Sequence, residues 1–245
     1  MYLSVIIPAY NEEKRLAKTL NSINDYLSRQ SYEYEILVVD NGSTDKTPEI
    51  VRNLANPARN GVSNGVCQIR GLKLIEGSAK EGKGFAVKKG MLEAKGDYKI
   101  FTDADNSTSI DQIEKMWPEF EKGLDVVIGS RDVKGAVLNP PQPWPRRVIL
   151  GEGFKLYRKI IIGLWEIEDT QCGFKGFKKE AAEKIFQKSK ISGWTFDVEI
   201  LILAKQMGYK IKEIPVNWVN DPDSKVKLSS IIEMAIGLLK LKLNL

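Results

Sequence analysis

Three short apolar runs limit what this chain can fold into. Leu3-Ser-Val-Ile-Ile7, Ile36-Leu-Val-Val39 and Tyr98-Lys-Ile-Phe-Thr102 are rich in β-branched and aromatic residues and too short for helices. Each stops at a polar, turn-prone segment: Pro8-Ala-Tyr-Asn11, Asp40-Asn-Gly-Ser-Thr-Asp45 and Asp103-Ala-Asp105. Between them the spacing turns helical, with Leu16, Leu20, Ile23 and Leu27 after the first run and Pro48, Ile50, Val51 and Leu54 after the second. Glu12 and Glu13 are expected in the first turn of the earlier helix, and Ser43 or Thr44 as the cap of the later one. A helix around Ile113–Phe120 and a strand at Val126–Ile128 continue the alternation. Such alternation specifies an α/β, Rossmann-like fold with a mostly parallel sheet and right-handed crossovers. Ligands bind beyond the carboxyl ends of strands in such sheets, so Pro8–Asn11, Asp40 and Asp103 fall on one edge.

Composition narrows the chemistry. The 245 residues contain no histidine, which removes histidine bases, Ser-His-Asp triads and zinc-histidine sites. Any metal must sit among carboxylates, hydroxyls and carbonyls, which favours hard ions such as Mg²⁺ or Mn²⁺. A net charge of +5 favours an anionic partner without naming one. Two cysteines, Cys67 and Cys172, point to a reducing compartment or to no redox role. No targeting segment is evident at the N-terminus, and no apolar stretch approaches the ~20 residues of a membrane span.

Asp103-Ala-Asp105 carries the most chemistry, because two carboxylates at a strand end can share a divalent ion. An ordinary polar loop is the competing reading. Asp103, Asp105, Ser107, Ser109, Asp111 and Glu114 also match the ligand spacing of a calcium loop, but Thr108 stands where the sharp turn needs glycine. Gly77-Ser-Ala-Lys-Glu-Gly82-Lys83-Gly84 fits part of a nucleotide-binding P-loop, yet Gly84 replaces the hydroxyl that ligates Mg²⁺. What remains is a glycine-flanked Lys83 able to approach a phosphate or a sugar, or a plain surface turn. Asp40 closes an apolar strand and needs a donor, which a nucleobase imide or a ribose hydroxyl supplies.

Beyond Arg131 a proline-rich loop, Asn139–Pro145, leads into Arg146–Trp165, where Arg146, Arg147, Lys155, Arg158 and Lys159 interleave with apolar and aromatic residues. Ile232, Ala235, Ile236, Leu239 and Leu243 form one helical face beside Lys240 and Lys242 near the C-terminus. Both segments either cover a core or lie on an anionic membrane surface, with Trp144 and Trp165 outward. No motif for nucleic-acid binding is present.

Taken together, Ser4-Val-Ile-Ile-Pro-Ala-Tyr-Asn-Glu-Glu13, Val38-Val-Asp-Asn-Gly-Ser-Thr-Asp45 and Thr102-Asp-Ala-Asp105 resemble, in order and spacing, the inverting family 2 glycosyltransferases of the GT-A fold. Gly129-Ser-Arg131, Asp169–Lys175, Trp194–Glu199, Ile214–Trp218 and Ser224-Lys225 make the resemblance most like the dolichyl-phosphate β-glucosyltransferases, with dolichol-phosphate mannose synthases nearby. The resemblance implies a catalytic domain over residues 1–225 and a C-terminal amphipathic helix over 226–245. It implies a nucleotide-sugar pocket of Pro8, Ala9, Tyr10, Glu12, Asp40, Lys83, Asp103 and Ala104, and a Mg²⁺ or Mn²⁺ ion on Asp103 and Asp105. Catalytic roles fall to Asp103, Asp105, Arg131 and Lys225. Arg131, Arg147 and Lys225 would receive the acceptor's phosphate, while Asp169, Gln171, Trp194, Asp197 and Glu199 border the sugar and acceptor cleft. The implied partners are UDP-glucose, a polyprenyl or dolichyl phosphate and the cytoplasmic face of a membrane. GDP-mannose, another acceptor, or nucleotide-dependent surface binding without transfer are the alternatives. Asn106 departs from the family's usual glycine, and the N-terminal membrane helix of eukaryotic members is not seen, which suggests a bacterial or archaeal polyprenyl acceptor.

Overall fold

The computed structural model describes residues 2–57, 68–77, 81–140, 152–220 and 228–243. The three apolar runs lie within β1 (Leu3–Ala9), β2 (Tyr34–Asp40) and β4 (Tyr98–Thr102), which with β3 (Leu72–Glu76) form the parallel order β3-β2-β1-β4. Residues along each strand alternate between two cores. Leu3, Val5, Ile7, Ile36 and Val38 face one side, and Ile6, Leu37 and Val39 the other. Burial on both faces is why these strands read as continuous apolar runs.

The sheet has seven strands, completed by β5 (Val126–Ser130), β7 (Phe174–Lys178) and β8 (Ile211–Pro215) in the order β4-β7-β5-β8. Parallel pairing dominates, as the GT-A arrangement requires. The exception is β7, which is antiparallel to both β4 and β5 in the middle of the sheet. Its sequence, Phe-Lys-Gly-Phe-Lys, hides the strand because Lys175 is fully buried rather than solvent-facing. A separate pair, β6 (Val137–Asn139) and β9 (Asn217–Val219), lies at the start of the proline-rich loop. Residues 141–145, including Trp144, and Cys67 lie outside the described residues.

The helices α1 (Leu16–Leu27) and α2 (Thr47–Ala55) cover the first core through the residues their spacing marks, among them Leu16, Leu20, Ile23, Leu27, Val51 and Leu54. Glu12 and Glu13 precede α1 instead of lying in its first turn. Glu12 pairs with Arg15, and the Glu13 carboxylate accepts the Lys46 N–H at 3.1 Å, at the entrance of α2. Neither Ser43 nor Thr44 caps α2: Asp45 accepts the Thr47 N–H at 2.9 Å, and Ser43 Oγ accepts the Asn11 N–H. The loops after β1 and β2 are therefore knitted to each other, which leaves their hydroxyls unavailable to the helix. The helix expected around Ile113–Phe120 divides into a 3₁₀ segment, Ile110–Lys115, and α4 (Trp117–Glu121), because Pro118 lacks the N–H needed to continue one ladder.

The second core lies under α3 (Lys83–Glu93), α6 (Lys179–Lys188) and α7 (Phe196–Gln206). Two further helices, α5 (Gly153–Ile162) and α8 (Leu228–Leu243), pack on one another; the Tyr157 hydroxyl donates to the Ala235 carbonyl at 3.1 Å. Leu238 and Leu241 of α8 enter the second core, so this C-terminal helix is not a detached appendage. Among the described residues no helix is long and apolar enough to cross a membrane.

Candidate active site

Chain order and strand order part company at β1. The connection from β1 runs to β2 on one side, and the chain returns through β3 to β4 on the other. Ligands bind at such a switch point, beyond the carboxyl ends of the strands. A cavity of about 700 Å³ opens there, lined by Pro8, Ala9, Tyr10 and Glu12 after β1 and by Asp103, Ala104 and Asp105 after β4. Lys83, the first residue of α3, and Trp194 close its far side. Nine residues read from the sequence are thus brought together.

The Asp103 carboxylate is held from two directions. Lys83 Nζ lies 2.6 Å from its Oδ1. The antiparallel register pairs Thr102 with Phe174, which sets Gly173 beside Asp103; a Cβ at Gly173 would stand 1.9 Å from Oδ2. The loop that follows adopts a left-handed conformation at Asn106 (φ 56°). Asparagine tolerates that region better than most residues, so the change from glycine keeps the turn. Asp105 Oδ1 accepts the Ser107 N–H at 2.9 Å, and Thr19 Oγ1 of α1 donates to the Ala104 carbonyl at 2.7 Å. Burial, and then the neighbouring Asp103 charge, raise the Asp105 pKa. Burial opposes the Lys83 charge, but the Asp103, Asp197 and Asp105 carboxylates outweigh it and lift its pKa to about 12.

Two crowded carboxylates at a cavity wall, one destabilised as an anion, accept a further positive charge, and an all-oxygen donor set suits Mg²⁺ or Mn²⁺. Among the described residues no group of three or more His, Cys, Asp or Glu side chains converges. The P-loop fragment resolves differently. A Cβ at Gly84 would stand 2.5 Å from the Ile191 carbonyl oxygen, so this glycine serves helix packing.

Several sequence candidates lie elsewhere. Asp40 is buried, and its carboxylate accepts the Gly42 and Ser43 N–H groups at 3.1 Å; Asn41 lines the cavity in its place. Its own loop thus supplies two donors to this carboxylate, which retains further acceptor sites. Arg131 makes a bidentate pair with Asp169, at 2.7 and 3.0 Å, and its guanidinium lies 5.5 Å over the Trp218 ring. Burial raises the Asp169 pKa, but Arg131 outweighs it and holds the carboxyl well below its usual range. Asp169 also accepts the Gln171 and Cys172 N–H groups, linking the pair to Gly173. Asp197 is buried against Lys175 at 2.5 Å, and Glu199 accepts the Lys190 and Ile191 N–H groups. Asp169, Gln171, Asp197 and Glu199 are not among the residues that line the cavity; of the four, Glu199 holds the segment that leads into its Ser192–Trp194 wall. Arg147 and Lys225 lie outside the described residues.

Sequence reasoning missed Arg15, Asn41, Glu81, Gly82, Ser192, Gly193 and Glu233 on the cavity wall. Asn41, Glu81 and Gly82 lie within motifs that were noticed for other residues, whereas Glu233 carries no local signal.

Residues 4–186 match the family described as Glycosyl transferase family 2. Dolichyl-phosphate beta-glucosyltransferase ALG5A of Trichomonas vaginalis is 37% identical over 98% of this chain and 73% of its own. The dolichyl-phosphate beta-glucosyltransferases of Saccharomyces cerevisiae and Homo sapiens are 34% and 31% identical, each over 99% of this chain and 75% of its own. In structure the chain is similar to glucosyl-3-phosphoglycerate synthase from Mycobacterium tuberculosis, solved with Mn²⁺ and UDP, with a TM-score of 0.64 at 17% identity, covering 100% of this chain and 80% of that one. With the family match spanning most of its sheet and its strand-edge site, the chain belongs to glycosyl transferase family 2.

Proposed function

We propose that the protein transfers glucose from UDP-glucose to a dolichyl or polyprenyl phosphate with inversion, giving a β-linked glucosyl phosphate lipid. The observation that carries this reading is the convergence of Lys83, Asp103 and Asp105 on a cavity at the β1/β4 switch point. The names of the relatives above supply the sugar and the acceptor class. In this reading the base lies toward Asn41 and Tyr10, and the diphosphate toward Lys83. Asp103 and Asp105 would hold Mg²⁺ or Mn²⁺, which would supply positive charge toward the diphosphate.

The bond from the anomeric carbon to the β-phosphate oxygen breaks, and its electron pair leaves with UDP. The acceptor's phosphate oxygen attacks from the opposite face and forms the new bond. That oxygen is already anionic, so no general base is needed and a chain without histidine carries the reaction. Lys83 stabilises charge on the leaving group, and Arg131, Arg147 and Lys225 are the cations assigned to the incoming phosphate.

In this reading the lipid acceptor brings the enzyme to a membrane surface, at its cytoplasmic face. Exposed Leu156 and Ile160 share a face of α5, Ile236, Leu239 and Leu243 share a face of α8, and Trp165 is exposed beyond the Gly163 turn. The α5 cations do not join them. Lys155 pairs with Glu152 and Asp132, Lys159 with Glu168, and the Arg158 guanidinium, buried, donates to the Leu164 and Ile167 carbonyls. They serve the fold because each finds a carboxylate or carbonyl nearby, so on α5 the outward contact is apolar rather than cationic.

Transfer from labelled UDP-glucose to a short polyprenyl phosphate, with GDP-mannose in parallel and with and without Mn²⁺, is the direct test. Metal-dependent transfer from UDP-glucose alone is expected. Transfer from GDP-mannose alone keeps the chemistry and overturns the sugar.

A further inference from the structure

We infer that Lys175, a buried lysine that does not line the cavity, is a positioning residue for transfer: it ties the backbone behind Lys83 to the backbone behind Asp103. This rests on the transfer reading above and adds to it a residue outside the cavity. Lys175 belongs to β7, and its partner Asp197, also buried, lies in the first turn of α7. A buried ion pair gives no stability beyond that of well-packed apolar residues of similar volume, so stability alone does not account for it.

The Lys175 ammonium makes two bonds, and each leads to one member of the Lys83–Asp103 pair. The first goes to the Cys172 carbonyl at 2.5 Å. The next residue, Gly173, lies against the Asp103 carboxylate; a Cβ there would stand 1.9 Å from Oδ2 and 2.7 Å from Oδ1. The second goes to Asp197 Oδ1 at 2.5 Å. The residue before it is Phe196, and a Cβ at Gly84 would stand 2.6 Å from Phe196 Cβ. Gly84 follows Lys83 in the first turn of α3. Its N–H donates to the Ser192 carbonyl at 2.7 Å, so the segment before α7 seats that turn a second time. Phe101, opposite Lys175 in the β4–β7 register, has its ring centroid 5.2 Å from the ammonium and 5.8 Å from that of Phe196. Neither approach has slack, so a shift of Gly173 or of Phe196 moves the residue resting on it. Lys83 Nζ and Asp103 Oδ1 meet at 2.6 Å across these two segments, and Lys175 fixes their spacing. The Asp197 carboxylate further favours the Lys83 cation.

The test replaces the pair by apolar residues, Lys175→Met together with Asp197→Leu, which strands no buried charge. Lys99→Met is the control, since Lys99 is also fully buried and donates to the Met91 carbonyl at 3.0 Å, near the opposite end of α3. Steady-state transfer, thermal scans and crystal structures of these variants are compared with the unsubstituted protein. The double variant is expected to fold, to lose the Lys83–Asp103 contact and to fall about 100-fold in kcat, while Lys99→Met keeps kcat within about twofold. A pair that served only stability would change the melting temperature alone, so retention of either the contact or kcat in the folded double variant overturns the inference. An equal loss of kcat in Lys99→Met overturns it as well. Should the double variant not fold, Asp197→Ala, which cuts the arm to α7 alone, is read by the same two measures. Absence of transfer by the unsubstituted protein is instead a failure of the transfer reading, and the contact in the variant structure then decides the role of Lys175.

Discussion

Gly173 has no side chain because the Asp103 carboxylate occupies the space where one would go. Gly173→Ala is expected to cut transfer by about 100-fold through displacement of that carboxylate, since sub-ångström to ångström misplacement costs rate steeply. Its melting temperature should stay close to that of the unsubstituted protein, and steady-state kinetics beside a thermal scan check both. Asp169 makes a different residue-scale prediction. Its folded pKa is depressed, so its contribution is complete above the unfolded value near 3.9 and fades as pH falls toward the folded one. Asp169→Asn is expected to destabilise by about 3 kcal/mol at pH 7, the cost of leaving one member of a buried pair without its partner. Urea unfolding should show that gap constant down to about pH 5 and narrowing below about pH 4. The sequence marked Asp169 and Arg131 but not their mutual bond, because a pair so far apart in the chain has no signature in spacing.

At the scale of elements, β7 and α7 meet through a buried ion pair. Lys175 Nζ reaches Asp197 Oδ1 and the Cys172 carbonyl, each at 2.5 Å, with the Phe101 ring below it. Burial raises the Asp197 pKa even against Lys175 and Lys83. Lys175→Met alone is expected to cost about 3–5 kcal/mol because it strands a buried carboxylate. Adding Asp197→Leu should restore most of that loss, and denaturant melts of the single and double variants test it; a double variant as unstable as the single one disproves the account. Elements with a regular apolar period, β1, β2, β4, α1 and α2, were legible. The antiparallel β7 was not, because a strand with two lysines in five residues reads as exposed until their partners are known.

The whole molecule turns one apolar face outward on α8 and another on α5, while the α5 cations face inward. Ile236→Asp with Leu239→Asp is expected to reduce vesicle partitioning at least about tenfold, since each buried aliphatic side chain is worth about 1.5–3 kcal/mol. Transfer to a water-soluble short-chain acceptor should persist in that variant. Flotation with neutral and with anionic vesicles checks the companion expectation, that partitioning depends only modestly on lipid charge. Retained flotation of the double variant places the docking surface elsewhere.

The apolar periods determined, from sequence alone, that β1, β2 and β4 become buried strands and that α1 and α2 cover them, because burial on a period of two or 3.6 is a local property of the chain. The same local property put Asp40 and Asp103 at strand ends, and so predicted one edge for the site. Which carboxylates face the cavity was decided only in three dimensions. Asp40 turned to its own loop, Asp169 and Asp197 took buried cations, and Glu233 arrived on a helix from the other end of the chain. A charged side chain goes where its counter-charge or donor is, and those partners are set by the packing of distant segments rather than by neighbours in sequence.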